Sequence, residues 1–118
     1  MIKLKISVTK KILFKARNCG SGNTTGCAIA LAVKDIFPLA SVTGPYMRYH
    51  WQKGEEIKLP KKASKFVYQF DNASPSERIK MNPISFEIEV PDNVIEQINI
   101  EEVRPLLQNH PTLELIEP

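Results

Sequence analysis

A glycine-rich segment, Gly20–Gly26, carries three hydroxyl side chains and stands directly before an apolar run that begins at Cys27. Glycines let a ligand approach the backbone closely, and the first turn of a helix offers free N–H groups to an anion. The segment is not a P-loop, because Lys-Ser/Thr does not follow its last glycine, and its glycine spacing is not a dinucleotide fingerprint. An anion site is one interpretation, and a connecting loop with a threonine cap is the other. The candidate ligand-binding residues are Gly22, Thr24, Thr25 and Gly26.

The densest aromatic and cationic patch of the chain begins at Tyr46. If this segment is a strand, its alternation places Tyr46, Arg48 and His50 on one face. Arginine offers a planar fork to a phosphate and tyrosine offers a π-face to a base, so these three are also candidate ligand-binding residues. A solvated strand face is the alternative. On the opposite face, Met47 and Trp51 are predicted to join the core or its rim.

The soft metal ligands of the sequence are two cysteines and two histidines, namely Cys19, Cys27, His50 and His110. None stands at the close spacing from which zinc sites are usually built, so neither a metal nor another cofactor is expected. Cysteine catalysis requires a thiolate beside a base, whereas Cys27 lies in an apolar run typical of inert buried thiols. The sequence therefore predicts no catalytic residue. Both thiols are expected to be unbridged, with Cys27 the slower to react.

The net charge of +3 conceals a strong asymmetry along the chain. Residues 1–65 contain 13 lysines and arginines against 3 acidic residues, whereas residues 66–118 contain 3 against 10. Such a split can mark an anion-binding face, but two halves of opposite charge can also interleave when strands pair. A nucleic-acid groove would require more arginines and a higher overall charge, so nucleic acid is not the expected partner.

Periodicity indicates the elements that must position these residues. Apolar residues alternate over 2–8 and 84–90, which predicts strands with one buried face. Shorter strands are expected at about 40–43, 46–52 and 55–59, and a last edge strand at Leu113 and Leu115. Phe66 and Phe70 lie on the strongest helical period and are expected in the core beside Leu31.

Capping residues and prolines delimit the predicted helices, which begin at about residues 9, 27, 60, 75 and 92. The expected first or capping residues are Thr9, Thr25, Pro60, Ser74 and Asp92. The first helix should end near residue 18, and a further turn should begin at Asn99, where Pro105 is expected to prevent one smooth helix. The predicted fold is α+β, a small and mostly antiparallel sheet with short helices packed on one face. Residues 1–118 are expected to form a single domain.

The longest unbroken apolar run, Cys27–Val33, is far shorter than the roughly 18–20 residues that span a membrane. The first residues alternate between apolar and polar, unlike those of a signal peptide. We therefore expect a cytoplasmic protein without a membrane partner, in which cysteines stay reduced.

Four segments resemble small proteins that recur in phage and prophage genomes, namely Ile2–Lys10, Gly26–Val33, Phe66–Asn72 and Ser85–Pro91. In that group a short strand, a threonine and a helix precede an Ala/Leu-rich helix with an Asn-Cys-Pro-like start. This chain has Gly26 and Ala28 in place of that Asn and Pro. The resemblance implies a small phage accessory protein in the cytoplasm of a host cell. Many such proteins oppose host defence by sequestering a nucleotide signal or by blocking a host protein.

The expected function is that of a non-catalytic anti-defence protein that binds and sequesters a phosphorylated, nucleotide-derived signal molecule. This expectation rests on the basic half, the glycine segment, the strand face of Tyr46, Arg48 and His50, and the missing catalytic set, while the anti-defence setting is what the resemblance implies. The alternative is an inhibitor that occludes a host defence protein or a nucleic-acid complex by protein–protein contact. The expected partner is thus a phosphorylated small molecule or a host protein, and the sequence leaves a homo-oligomer open.

Overall fold

The computed structural model describes residues 2–19, 27–43, 45–50 and 53–116, and for 53–55 it describes the backbone alone. The strands in these residues are β1 (Ile2–Val8), β2 (Ser41–Thr43), β3 (Tyr46–His50), β4 (Lys53–Lys58), β5 (Ile84–Val90) and β6 (Leu113–Ile116). The helices are α1 (Lys10–Lys15), α2 (Ala28–Ala32), α3 (Lys61–Asp71), α4 (Pro75–Lys80), α5 (Asp92–Ile98) and α6 (Ile100–Leu107). The α+β class predicted from the sequence is confirmed.

The first sheet has the order β5-β1-β6, and both of its strand pairs are antiparallel. Its central strand, β1, buries Leu4, Ile6 and Val8 on one face, as the alternation of the sequence predicts. The long strands β1 and β5 pair over their whole length, from Ile2 opposite Val90 onwards. The short β6 lies at the edge, which confirms the predicted last strand.

The outward face of this sheet brings the two differently charged halves of the chain together. Lys3 lies opposite Glu89, and Lys5 lies between Glu87 on β5 and Glu114 on β6. Opposite charges at directly paired positions favour this register by a few tenths of a kcal/mol each. Interleaving, one of the two interpretations of the charge asymmetry, is therefore confirmed for this sheet.

The second sheet is a meander of three short antiparallel strands in the order β2-β3-β4. Val42, Met47 and Ile57 lie side by side across it and are buried. The strands thus divide between two small sheets, where the sequence predicted one. Both sheets and the helices contribute to a single buried cluster, so the domain has one core.

The helices α1 and α2 follow the first strand. Thr9 is the N-cap of α1, as predicted, and its Oγ1 accepts a hydrogen bond of 3.2 Å from the backbone N–H of Ile12. The helix ends at Lys15, three residues earlier than predicted, and turns continue the chain. The predicted cap of the next helix, Thr25, lies outside the described residues, and Cys27 occupies the N-cap position of α2.

Helix α3 begins after Pro60 and buries Phe66 and Phe70, as predicted, with their ring centroids 5.9 Å apart. These rings line a small cavity together with Ile29 of α2. Leu31 was expected beside them, but it is half-buried and faces a different pocket. The helical turn explains this error, because residues two positions apart point to different sides of a helix.

Helix α4 begins with the predicted capping box. The Ser74 hydroxyl accepts a hydrogen bond from the Glu77 N–H at 3.3 Å, and the Glu77 carboxylate accepts one from the Ser74 N–H at 2.8 Å. The bond from the Ser74 N–H to the ionised carboxylate is the main cause that lowers the pKa of Glu77.

Near the end of the chain the predicted start of a further turn at Asn99 is confirmed, whereas the predictions for Asp92 and Pro105 are wrong in detail. Pro91, and not Asp92, is the N-cap of α5. The break between α5 and α6 lies at Asn99, whose φ of 50° is left-handed, a conformation that asparagine tolerates. Pro105 lies inside α6 and does not interrupt it. No helix in the described ranges is both long and apolar enough to cross a membrane.

Candidate anion-binding site

A pocket of about 360 Å³ lies between α1, the end of α2 and the turn that leads into β6. Three lysines line it, Lys11 and Lys15 from α1 and Lys34 from the turn after α2. We call it the basic pocket. Its volume is within the range of cavities that bind small molecules, at the lower end. Positions 11 and 15 are one helical turn apart, so α1 presents both ammonium groups on the same side.

The opposite side of α1 is fixed to the rest of the fold. Leu13 is fully buried in the core, and the ammonium group of Lys10 donates hydrogen bonds to the carbonyls of Met81 and Ile79, at 2.6 and 3.2 Å. These contacts and the Thr9 cap set the rotation of a helix that is too short to be stable alone. Lys11 and Lys15 therefore stay on the exposed side, toward the pocket.

A histidine and an aspartate form the wall of the basic pocket opposite α1. Nε2 of His110 lies 2.6 Å from Oδ2 of Asp35, and the backbone N–H of Thr112 donates to Nδ1 at 3.1 Å. Because Nδ1 accepts this bond, the proton of the neutral imidazole is on Nε2 and is donated to Asp35. The pair thus joins the turn after α2 to the turn before β6.

This wall resembles part of a catalytic triad, but its hydrogen bonds are arranged differently. In a triad, a hydroxyl donates its proton to the histidine nitrogen that the carboxylate does not use. Here the Thr112 hydroxyl donates its only proton to the carbonyl of Ala32, at 2.7 Å. Its oxygen lies 3.3 Å from Nδ1, and Thr112 is only 5% exposed. Both imidazole nitrogens are thus engaged in hydrogen bonds within the pocket wall.

The charge around the basic pocket is positive. Asp35 is the single carboxylate among the residues that line it, against three lysines. The lysines are exposed, so an anion that enters the pocket from solvent can reach their ammonium groups. Ile12 and Leu31 line the same pocket and are half-buried, which gives it an apolar side. This combination suits a ligand with one strongly anionic end and one uncharged end.

The strand face predicted from the sequence lies elsewhere, on β3 of the second sheet. Tyr46 and Arg48 are exposed there, and His50 is less so. The guanidinium of Arg48 lies 3.6 Å from the Glu56 carboxylate, directly across the sheet, so its charge is partly compensated. On the opposite face Met47 is buried, as predicted, while Trp51 lies outside the described residues. The role of Tyr46, Arg48 and His50 in ligand binding stays a prediction.

The four candidate residues of the glycine segment, Gly22, Thr24, Thr25 and Gly26, all lie outside the described residues. The helix that follows, α2, has only five residues, and its N-cap Cys27 makes no side-chain capping bond. The anion site proposed for this segment therefore stays a prediction.

The structure corrects one expectation about the burial of the thiols. Cys27 was expected to be fully buried, but both it and Cys19 are half-buried, and neither is in a disulfide. Cys27 nevertheless has a pKa raised to about 12, chiefly by desolvation and by its contact with Cys19. Within the part of the chain that the structure describes, no three metal-binding side chains converge.

The basic pocket was not predicted from the sequence. The spacing of Lys11 and Lys15 on a predicted helix was visible and could have suggested a cationic face. The contact between Asp35 and His110 was not visible, because 75 residues separate them in the chain.

Comparisons of the chain with models of protein families, with curated proteins and with solved structures find no match. The function proposed for this protein therefore rests on the geometry of its side chains.

Proposed function

We propose that this protein is a non-catalytic binding protein that holds a phosphorylated, nucleotide-derived small molecule in the basic pocket. The observation that carries the proposal is the convergence of Lys11, Lys15 and Lys34 on one cavity of about 360 Å³ that contains a single carboxylate. The sequence predicted the same class of ligand from other residues, and the basic pocket supplies a better site for it.

The chemistry of the pocket favours a phosphorylated ligand over an uncharged or purely apolar one. Lysine binds phosphate as a point charge. The three ammonium groups and the Asp35 carboxylate leave two net positive charges, which match a phosphoryl group with two ionised oxygens. Asp35 repels an anion at close range, but His110 donates a hydrogen bond to it and draws its carboxylate toward the wall. The apolar side, formed by Ile12 and Leu31, provides the surface for the sugar or base.

The wall geometry favours retention of the ligand without conversion. A hydrolase would need an activated nucleophile or a free base, and both nitrogens of His110 are already hydrogen-bonded. In the phage setting that the sequence resemblance implies, such a protein would withdraw a nucleotide signal from a host defence system by holding it. This role requires a stoichiometric amount of protein in the host cytoplasm and no turnover.

The ligand class can be tested by retention and release. The purified protein is incubated with a panel of mono-, di- and cyclic nucleotides, freed of unbound ligand by gel filtration, and heated, and the supernatant is analysed by mass spectrometry. We expect an intact phosphorylated compound in the supernatant. A converted compound would mean that the protein is an enzyme. Retention of nothing from the panel would refute the proposal and favour the occlusion of a host protein.

The site can be tested by matched charge removal. We expect the double substitution Lys15→Gln/Lys34→Gln to remove about 1 kcal/mol per ammonium group, or a Kd roughly 30-fold higher at low salt. The control is Lys62→Gln/Lys65→Gln on the exposed side of α3, which changes the net charge equally and should raise Kd less than about 3-fold. Both are measured by calorimetric titration of folded variants.

The same titration distinguishes the two candidate surfaces. Equal losses in the two double variants would indicate diffuse electrostatic attraction and no defined pocket. A large loss in Arg48→Ala with none in Lys15→Gln/Lys34→Gln would move the site to the exposed face of β3.

A further inference from the structure

The two cysteines of the chain are in contact with each other. Cys19 follows the turn after α1, and Cys27 is the N-cap of α2. Their Sγ atoms are 2.6 Å apart, well inside the usual contact distance of two sulfur atoms, and no disulfide joins them. Both residues are half-buried, so a small reagent can reach them from solvent.

Each thiol is held on a fixed piece of backbone. The N–H of Cys19 donates to the carbonyl of Ala16 at 3.0 Å, and its own carbonyl accepts a hydrogen bond of 2.7 Å from the buried guanidinium of Arg78. The carbonyl of Cys27 accepts from the N–H of Leu31 at 2.9 Å, in the first turn of α2. The backbone that carries each sulfur atom is therefore held by hydrogen bonds to neighbouring elements of the fold.

We propose that Cys19 and Cys27 form a thiol–disulfide exchange site, which reacts with a low-molecular-weight disulfide of the glutathione class and closes reversibly into an intramolecular disulfide. The chain is thereby oxidised by two electrons and the reagent is reduced to two thiols. The site is independent of the ligand proposed for the basic pocket.

The environment assigns different roles to the two sulfur atoms. Burial and the neighbouring Cys19 raise the pKa of Cys27 to about 12, so Cys27 is protonated near neutral pH and is a poor first nucleophile. Cys19 is therefore the sulfur that attacks the reagent, and its proton passes to solvent. A bond forms between Cys19 and one reagent sulfur, the reagent S–S bond breaks, and the first reagent thiolate leaves.

The second step becomes easier once the first has occurred. Two of the causes that raise the pKa of Cys27, a hydrogen bond and a charge, come from Cys19 and disappear when Cys19 is in a mixed disulfide. Desolvation, which is the largest cause, remains, as do the charge of Asp71, which raises this pKa, and the charge of Arg78, which lowers it. Cys27 then loses its proton to the departed thiolate and attacks Cys19 Sγ, which expels the second reagent thiolate. Two protein thiols and one external disulfide thus give one protein disulfide and two external thiols.

Closure has a defined structural effect. The bond would close a covalent ring of residues 19 to 27, between α1, which supplies Lys11 and Lys15, and α2. Because the two sulfur atoms are already in contact, the thiols need not be brought together from a distance for the bond to form.

The test uses the wild-type chain and intact mass spectrometry. Reduced protein is incubated with excess oxidised glutathione, quenched with iodoacetamide, and weighed before and after treatment with dithiothreitol. We expect a product lighter by about 2 Da that takes up no iodoacetamide, and two alkylations after reduction. The chain has only two cysteines, so the assignment is unambiguous. Two freely alkylated thiols, a stable glutathione adduct or a disulfide-linked dimer as the main product would each overturn the proposal.

Single substitutions test the order of attack. Cys27→Ser should trap glutathione on Cys19, while Cys19→Ser should react at least about 10-fold more slowly, because its remaining thiol keeps the desolvated environment of Cys27. Equal rates in the two variants, each shown by thermal melting to be folded, would overturn the assignment of Cys19 as the attacking thiol.

Discussion

The buried side chain of Arg78 gives the sharpest test of how this fold is held together. Arg78 lies on α4 and is only 7% exposed, and its guanidinium lies over the ring of Phe70 at 4.3 Å. Nε donates to the Phe70 carbonyl at 2.8 Å, and Nη1 donates to the carbonyls of Arg17 and Cys19 at 3.0 and 2.7 Å. The residue thus joins the end of α3 to the chain that leaves α1.

The substitution Arg78→Met keeps most of the apolar volume and removes the donors. The Phe70 carbonyl retains a bond from the Ala73 N–H at 3.2 Å, whereas the carbonyls of Arg17 and Cys19 lose the Arg78 donor. A buried carbonyl without its donor costs about 1–3 kcal/mol, and partial access of water to the half-buried Arg17 and Cys19 reduces this. Relief of the desolvation of a buried cation offsets part of the loss. We expect a net decrease of about 2–4 kcal/mol in the free energy of unfolding.

The measurement is urea unfolding followed by circular dichroism, with the midpoint and the slope fitted separately. Lys80→Met is the matched control, since it lies on the same helix, is exposed, and should change stability by less than about 0.5 kcal/mol. If Arg78→Met unfolded within about 0.5 kcal/mol of the wild type, with the same slope, the three hydrogen bonds would contribute nothing net and the reasoning would be refuted.

Two further predictions concern the core and the thiol. Phe70→Ala should cost about 3–5 kcal/mol in a thermal or urea melt, whereas Tyr68→Ala, at a position 75% exposed on the same helix, should cost less than about 1 kcal/mol. Equal costs would mean that Phe70 does not lie on the buried side of α3. The raised pKa of Cys27 means that the folded state favours the neutral thiol. Its contribution to stability is complete below pH 9 and is lost as the pH rises toward about 12. Between those values wild type should therefore lose stability faster than Cys27→Ser, and parallel curves would contradict this.

Periodicity was sufficient where one element meets the core along one face. The alternation in β1 and β5 and the helical period of Phe66 and Phe70 predicted both the elements and their buried sides. Local capping was also predictable, because the bonds of Thr9 and of Ser74 with Glu77 join residues three apart. Such interactions depend on the local sequence and hardly on the rest of the chain.

The errors concern interactions between distant segments. The division of the strands between two sheets depends on which strands pair, and β1 pairs with strands more than 75 residues away. Arg78 was an ordinary charge on a short predicted helix, and only the tertiary fold surrounds it with carbonyl groups. Pro105 was expected to break a helix, yet the backbone turns at Asn99, where the left-handed conformation ends α5 more sharply.

The structure shows where several lysines of the basic first half of the chain lie relative to the acidic residues. In the first sheet the lysines of β1 lie opposite glutamates from the second half of the chain, so that part of the asymmetry is neutralised by strand pairing. The lysines of α1 and the turn after α2 lie beyond the sheet, and Asp35 is the one carboxylate that lines their pocket. That carboxylate is itself hydrogen-bonded to His110. Three of the lysines that strand pairing leaves uncompensated thus converge on one cavity, and an anionic ligand there would be attracted by all three.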